Sequence, residues 1–266
     1  EGRVVAASTY LRPLRQAISH GLYQRYRLQR PSQSRALFFC MAYSLLFVAG
    51  HSSHVQSEEI SSRGDFAYEV RMGPIIAGEL NFDFRRQREA YEFLGQFQTS
   101  QSLSAYYTWT GTFAAKGLWQ ATTPLTQTYL VQSESKDDDY KVVVMSQQDT
   151  QILLGRDGEF EVNPKPPGTD LISALLFTPG CYAGEHVHDG EDAYPIRLDR
   201  VSDAKLARRA GFYSGAVMRC DYSVVTRRGK TRRLRVSMAE IDGVWVATEV
   251  RIRVSFFPDP VFRLRS

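Results

Sequence analysis

Residues 231–256 read TRRLRVSMAEIDGVWVATEVRIRVSF, and this stretch decides the fold. Val244, Val246, Thr248, Val250, Ile252, Val254 and Phe256 alternate with Trp245, Ala247, Glu249, Arg251, Arg253 and Ser255. A period of two with one polar face marks an antiparallel strand that is solvated on one side. Ile241-Asp242-Gly243 reads as a three-residue loop with glycine in the left-handed position. That loop sets Met238 opposite Val246, Val236 opposite Thr248 and Leu234 opposite Val250 on one buried face. A two-residue turn would set Leu234 against Arg251 and mix the faces. One hairpin upstream, a loop of Arg227-Arg228-Gly229 pairs Tyr222 with Leu234, Cys220 with Val236 and Met218 with Met238.

The same alternation runs back to the start of the region. Phe66, Tyr68, Val70 and Met72 share a face; Leu80, Phe82 and Phe84, then Tyr91 and Phe93, repeat it. About ten to twelve short strands predict an all-β domain: one strongly curved antiparallel sheet, or a barrel-like one, with one or two short helices. Thr169 or Asp170 caps a helix carrying Leu171, Ile172, Leu175 and Leu176, and Pro179-Gly180 stops it. A second helix is expected over about 203–210.

Two regions differ in charge. Residues 1–57 hold seven arginines, no lysine and one acid, whereas the remainder holds 26 basic and 28 acidic residues. The net charge of +4 therefore belongs to the leader and gives no argument for nucleic-acid binding. Arginines flank the apolar run 36–50, about 22 Å long as a helix and short of a ~30 Å hydrocarbon core. Small residues follow near Ser57. The pattern predicts a secretory leader over 1–57, cleaved near Ser57, and a single exported domain over 58–266 in the periplasm. The membrane is then met only through the signal sequence. The alternative is an inner-membrane anchor facing the same compartment.

Export leaves two cysteines, Cys181 and Cys220, as a candidate disulfide. They read equally as two buried thiols.

In order along the chain, the Tyr68-x-Val70 strand with Gly73 and Ala77-Gly78-Glu79, the Asp170-Leu171-x-Ser173-Ala174-Leu175-Leu176 helix, Asp189-Gly190 with Tyr194-x-Ile196, and Gly215-x5-Cys220-x-Tyr222 resemble domain-of-unknown-function family 3108. The resemblance covers about 65–258. It implies an exported bacterial all-β protein with a curved antiparallel sheet, like the carrier folds of lipoprotein-sorting proteins, and no activity.

The chemistry-bearing residues are few. His186, His188 and Glu191 have the donor types of an open zinc site, if a two-residue Asp189-Gly190 turn sets Glu191 opposite His188. The hairpin reads more simply as an acidic, solvated tip on the outer face. Hydrolase and phosphate-loop motifs are absent from the sequence. Tyr106, Tyr107, Trp109, Phe113 and Trp119 either line a ligand cavity or fill a core. The predicted register places Arg233 opposite Arg251 in a row without an acid, where they, Arg253 and Trp245 form a candidate anion grip. No cofactor is implied. The expectation is a non-enzymatic envelope protein that binds an apolar or amphipathic envelope component, such as a lipid, or a protein partner. The alternatives are a metal-assisted hydrolase on His186, His188 and Glu191, and a structural envelope scaffold. Oligomeric state is not legible in the sequence.

Overall fold

The computed structural model describes residues 61–104, 108–135, 140–254 and 258–266. The leader 1–57 with its apolar run 36–50, and Tyr106 and Tyr107, lie outside the described residues. Among the described residues no helix is long and apolar enough to cross a membrane.

Fifteen strands form one sheet that does not close. The first eight are β1 (Ser61–Met72), β2 (Ile75–Gln87), β3 (Ala90–Thr99), β4 (Trp109–Gln120), β5 (Thr123–Ser135), β6 (Lys141–Met145), β7 (Asp149–Leu154) and β8 (Phe160–Pro164). They meander in order, each paired antiparallel with the next. The other seven are β9 (Thr169–Asp170), β10 (His186–His188), β11 (Ala193–Leu206), β12 (Gly215–Val225), β13 (Thr231–Ile241), β14 (Val244–Arg253) and β15 (Pro260–Leu264). They meander likewise, and β15 joins the two runs by pairing with β1. Among the described residues only the β9–β10 pair, joined across α2 rather than by a hairpin, is parallel. The helices are α1 (Gln101–Ser104) and α2 (Leu171–Leu176).

Short hairpins explain this nearest-neighbour order: each strand lies beside the one that its turn returns it to. The curvature has a local cause. The ring of Phe113 lies 2.0 Å from where a Cβ on Gly95 would stand, and Phe97 and Tyr91 cover Gly111 and Gly117 in the same way. A glycine beneath a tilted aromatic on the next strand lets the sheet coil tightly toward that face.

The concave face is filled. Phe177, just past α2, stacks on Phe84 at 4.7 Å and meets Phe82, Phe93 and Phe66 at 5.4, 5.7 and 5.9 Å. Ala174, Leu175 and Leu176 join this core. Asp170 caps α2 by accepting from the Ser173 N–H at 2.8 Å, as one of the two predicted caps. At the other end the Thr178 hydroxyl donates to the Ser173 and Ala174 carbonyls.

Two local expectations need correction. The second helix over 203–210 does not form: β11 runs to Leu206, because its ladder with β12 continues to the Leu206–Gly215 pair. The β12–β13 register is as read, with Met218, Cys220 and Tyr222 opposite Met238, Val236 and Leu234. The β13–β14 register is not. Ile241 pairs with Val244 across a two-residue Asp242-Gly243 turn, both residues at positive φ (50° and 76°). Met238 faces Ala247, Thr248 is bulged out, and beyond it Val236 faces Val250 and Leu234 faces Ile252. The bulge restores the face parity that the tight turn alone would break. The Thr248 hydroxyl, donating to the Ser237 carbonyl at 2.9 Å, is satisfied there.

Candidate functional site

The His186–Glu191 hairpin is not an exposed metal cradle. His188 pairs with Ala193, not with Glu191, because the loop holds four residues, Asp189–Asp192. Its imidazole is 0% exposed and stands edge-on to Tyr129, ring centroids 6.0 Å apart. Glu191 leaves for Lys141 on β6 and for Arg227. Asp189 organises the loop instead. One carboxylate oxygen accepts from the Glu191 and Asp192 N–H groups, and the other from the Tyr194 hydroxyl at 2.6 Å. No group of three metal-ligating side chains occurs among the described residues. His188 is buried because its hairpin folds over the sheet: a Cβ on Gly190 would stand 2.7 Å from Val143 and 2.8 Å from Tyr129. Acidic residues in a hairpin tip resemble a solvated turn in sequence, and only this long-range contact reveals otherwise.

The contact belongs to a latch that draws the β9–β10 end of the sheet onto β5. The Thr169 hydroxyl donates to the Pro124 carbonyl at 2.5 Å. Thr126 accepts from the Asp170 N–H at 3.1 Å and donates to the second Asp170 carboxyl oxygen at 2.5 Å. That uses its single proton, so the Tyr91 hydroxyl, 3.2 Å away, is the donor to Thr126. Lys165 donates to the Thr126 carbonyl at 2.9 Å. Asp170 and Thr126 are both fully buried. Burial pushes the Tyr91 hydroxyl up from its ordinary range, with the nearby Asp170 adding to it. Burial pushes Lys165 down. His188 is also pushed down, first by burial, with Lys165 opposing its charge and Asp170 and Asp189 favouring it. Its Nδ1 accepts from the Gly190 N–H at 3.2 Å, so the ring is neutral with its proton on Nε2. Asp170, Ser173 and His188 are acid, hydroxyl and imidazole, and all three are buried. This cluster is a fastening.

Cys181 and Cys220 are joined as a disulfide, Cα atoms 5.6 Å apart. It ties the segment after α2 to the centre of β12.

The arginines meet in a different register from the one expected. Arg251 faces Arg235 rather than Arg233, and Arg233 faces Arg253, because of the Thr248 bulge. Arg235 bonds Asp221 at 2.7 Å, and Arg251 lies 3.5 Å from Glu249. The expectation that the Arg233 row lacks an acid also fails. A bulge between Leu198 and Arg200 leaves Asp199 extra, and it accepts from Ser223, the partner of Arg233. Trp245 pairs with Glu240 at the opposite end of the hairpin, about 20 Å along the strand from Arg251. The outer face of β11–β15 and β1 is instead a lattice of ion pairs. Asp221 also binds Arg200 at 2.9 Å, Glu249 binds Arg263 at 2.9 Å, and Arg265 binds Glu79 at 2.7 Å. Partial burial pushes the Asp221 carboxyl up, but hydrogen bonds from Arg235 and Arg200 outweigh it and hold it below the usual range.

The aromatics divide. Phe113 and Trp119 are core, Trp119 beneath the Arg86 guanidinium at 5.4 Å. Trp109 is exposed at the rim, packed on Phe97 at 3.9 Å. They line no lumen. A cavity of about 150 Å³ lies elsewhere, among Leu206, Phe212, Tyr213, Thr248, Glu249 and Arg263. It is about half the smallest volume usual for a small-molecule site.

Sequence reasoning missed the outer face of β3–β8. The registers align Leu94, Ala114, Leu130, Val144, Gln151 and Val162 in one row across six strands. In the next row Leu153 and Phe160 stand beside Val142, which is itself buried. Leu94 is 48% exposed, Phe160 51% and Val162 65%. Each strand alone looks like an ordinary core strand; only the register collects these residues on the wet side.

No family model, curated protein or solved structure matches the chain.

Proposed function

We propose that the domain is a non-catalytic binding protein of the bacterial cell envelope, acting through its outer surface. The observation that carries this reading is the row from Leu94 to Val162, apolar except at Gln151, on the outer side of a sheet whose inner side is already packed with Phe177 and α2. Apolar side chains gathered on the outer face, with Leu94 and Val162 exposed, suit an interaction site. A lipid carried inside the sheet would have to displace the plug. Four arginines of the opposite half, Arg200, Arg235, Arg263 and Arg265, are paired with acids and so are less available to anionic headgroups. A protein partner with an apolar contact surface fits better. The periplasmic address is supported by the arginine-flanked apolar run 36–50, and a disulfide suits an oxidising compartment.

Native mass spectrometry of protein purified from its own host, combined with vesicle flotation, tests the reading. The expected result is a mass without lipid and no flotation with zwitterionic or anionic phospholipid vesicles. Lipid retained in stoichiometric amount overturns the surface reading in favour of a carrier.

A further inference from the structure

Among the described residues the β8 edge has an unpaired hydrogen-bonding side whose composition can be read from the ladder. The Ser146 N–H donates to the Asp149 carbonyl at 2.8 Å and the Gly155 N–H to the Tyr140 carbonyl at 2.7 Å. Odd-numbered residues of β7 therefore turn their peptide groups toward β6. Successive residues alternate, so Thr150 and Ile152 turn toward β8 and bond to Asn163 and Glu161, their register partners. Phe160, Val162 and Pro164 then present their peptide groups outward. Among the described residues nothing pairs with that side. Pro164 has no N–H to offer, which leaves two outward donors, on Phe160 and Val162.

This edge is complementary to itself. We propose that a second copy of the chain docks on it, β8 antiparallel to β8, with the two-fold axis at Val162. In that register the two Val162 residues exchange N–H···O bonds, and each Phe160 N–H meets the Pro164 carbonyl of the other copy. All four donors are used, and the missing proline N–H groups leave only the Phe160 carbonyls unmatched. Neighbouring registers are worse. Centring on Glu161 sets two like charges directly opposite. Centring on Asn163 sets Val162 against Pro164, and half the bonds within the strands are lost. The Val162 register also places Glu159 of each copy opposite Lys165 of the other. On the outer face it joins Phe160, Val162 and Pro164 of both copies into one apolar cluster, continuous with the rows that end at Val162 and Phe160. The inference goes beyond the partner-binding reading and does not depend on it.

Register-specific cross-linking is the test. In a directly opposite hydrogen-bonded pair the Cα atoms stand about 5.5 Å apart, within disulfide reach. Val162→Cys, mildly oxidised, is expected to give a covalent dimer, whereas Glu161→Cys is expected to give little. Both sites are exposed on an edge, so folding is preserved, and near-ultraviolet circular dichroism checks this. Sedimentation of the unmodified protein should show a reversible monomer–dimer equilibrium. Glu159→Lys, which sets like charges opposite each other across the strand pair, should weaken it several-fold. A protein monomeric throughout, equal cross-linking at both positions, or cross-linking favoured at Glu161 overturns the proposal.

Discussion

At one end of the sheet the β9 edge is buried; at the other the β8 edge is open, and the two differ in chemistry as well as position. β9 contributes two residues, both inaccessible, and every polar group named there finds a partner on β5: Thr169 on Pro124, Asp170 on Thr126. β8 contributes five residues, all exposed, and its main defence is Pro164. An unprotected edge recruits another strand. In this molecule one edge recruits the body of its own sheet through side chains, and the plug that the latch holds in place fills the concave face. The other edge keeps its peptide groups facing outward. The lesson is that an open sheet can have a core as complete as a barrel's without a closing ladder, at the cost of a buried polar fastening.

The largest expected break in that contrast comes from Asp170→Ala. It removes the cap of α2 and strands Thr126 in the core, so denaturant unfolding should show a loss of about 3–5 kcal/mol. A loss under 1 kcal/mol would mean that apolar packing alone holds the β9 edge. Next is the bridge that ties the plug to β12. Cys181→Ser with Cys220→Ser should cost about 3–4 kcal/mol, because the cross-link closes a loop 39 residues in span. Free-thiol titration of the unfolded, non-reduced protein should find neither cysteine reactive; two reactive thiols would remove the bridge from the comparison.

A smaller effect should appear with acid. Burial lowers the folded-state pKa of His188 below its ordinary value of 6.5, so the unfolded chain takes up a proton that the folded one resists. Stability contributed by this group is complete above about pH 6.5 and declines as pH falls toward the folded-state pKa. His188→Phe should flatten that decline between about pH 6.5 and 5, measured as unfolding free energy against pH. An unchanged profile would place the acid sensitivity elsewhere. The smallest effect belongs to the open edge. Val162→Thr should change monomer stability by no more than about 0.5 kcal/mol, since it alters an exposed position with no buried neighbour to lose. A larger loss would show that β8 is not free.

The legibility of these features in the sequence varied with how local their causes are. Gly229 ends a three-residue loop, and the β12–β13 register follows from that loop and the alternation beside it. The β13–β14 register fails because an Asp-Gly pair also makes the tighter turn, and nothing in the letters VATEV announces a bulge at Thr248. The whole arginine grip rested on that register. His188 was misplaced for a different reason: its burial depends on Tyr129 and Val143, more than forty residues away.

The sequence by itself determined the class of fold, the one capped helix and the buried face of most strands, because periodicity and capping act over a few residues. It also contained Cys181 and Cys220, which are able to pair. Only the tertiary structure decided that the sheet stays open, that α2 and Phe177 fill its concave face, and that Leu94 to Val162 align on the wet side. Those outcomes depend on register accumulated over many strands. A shift of one residue at any bulge turns a side chain from core to solvent.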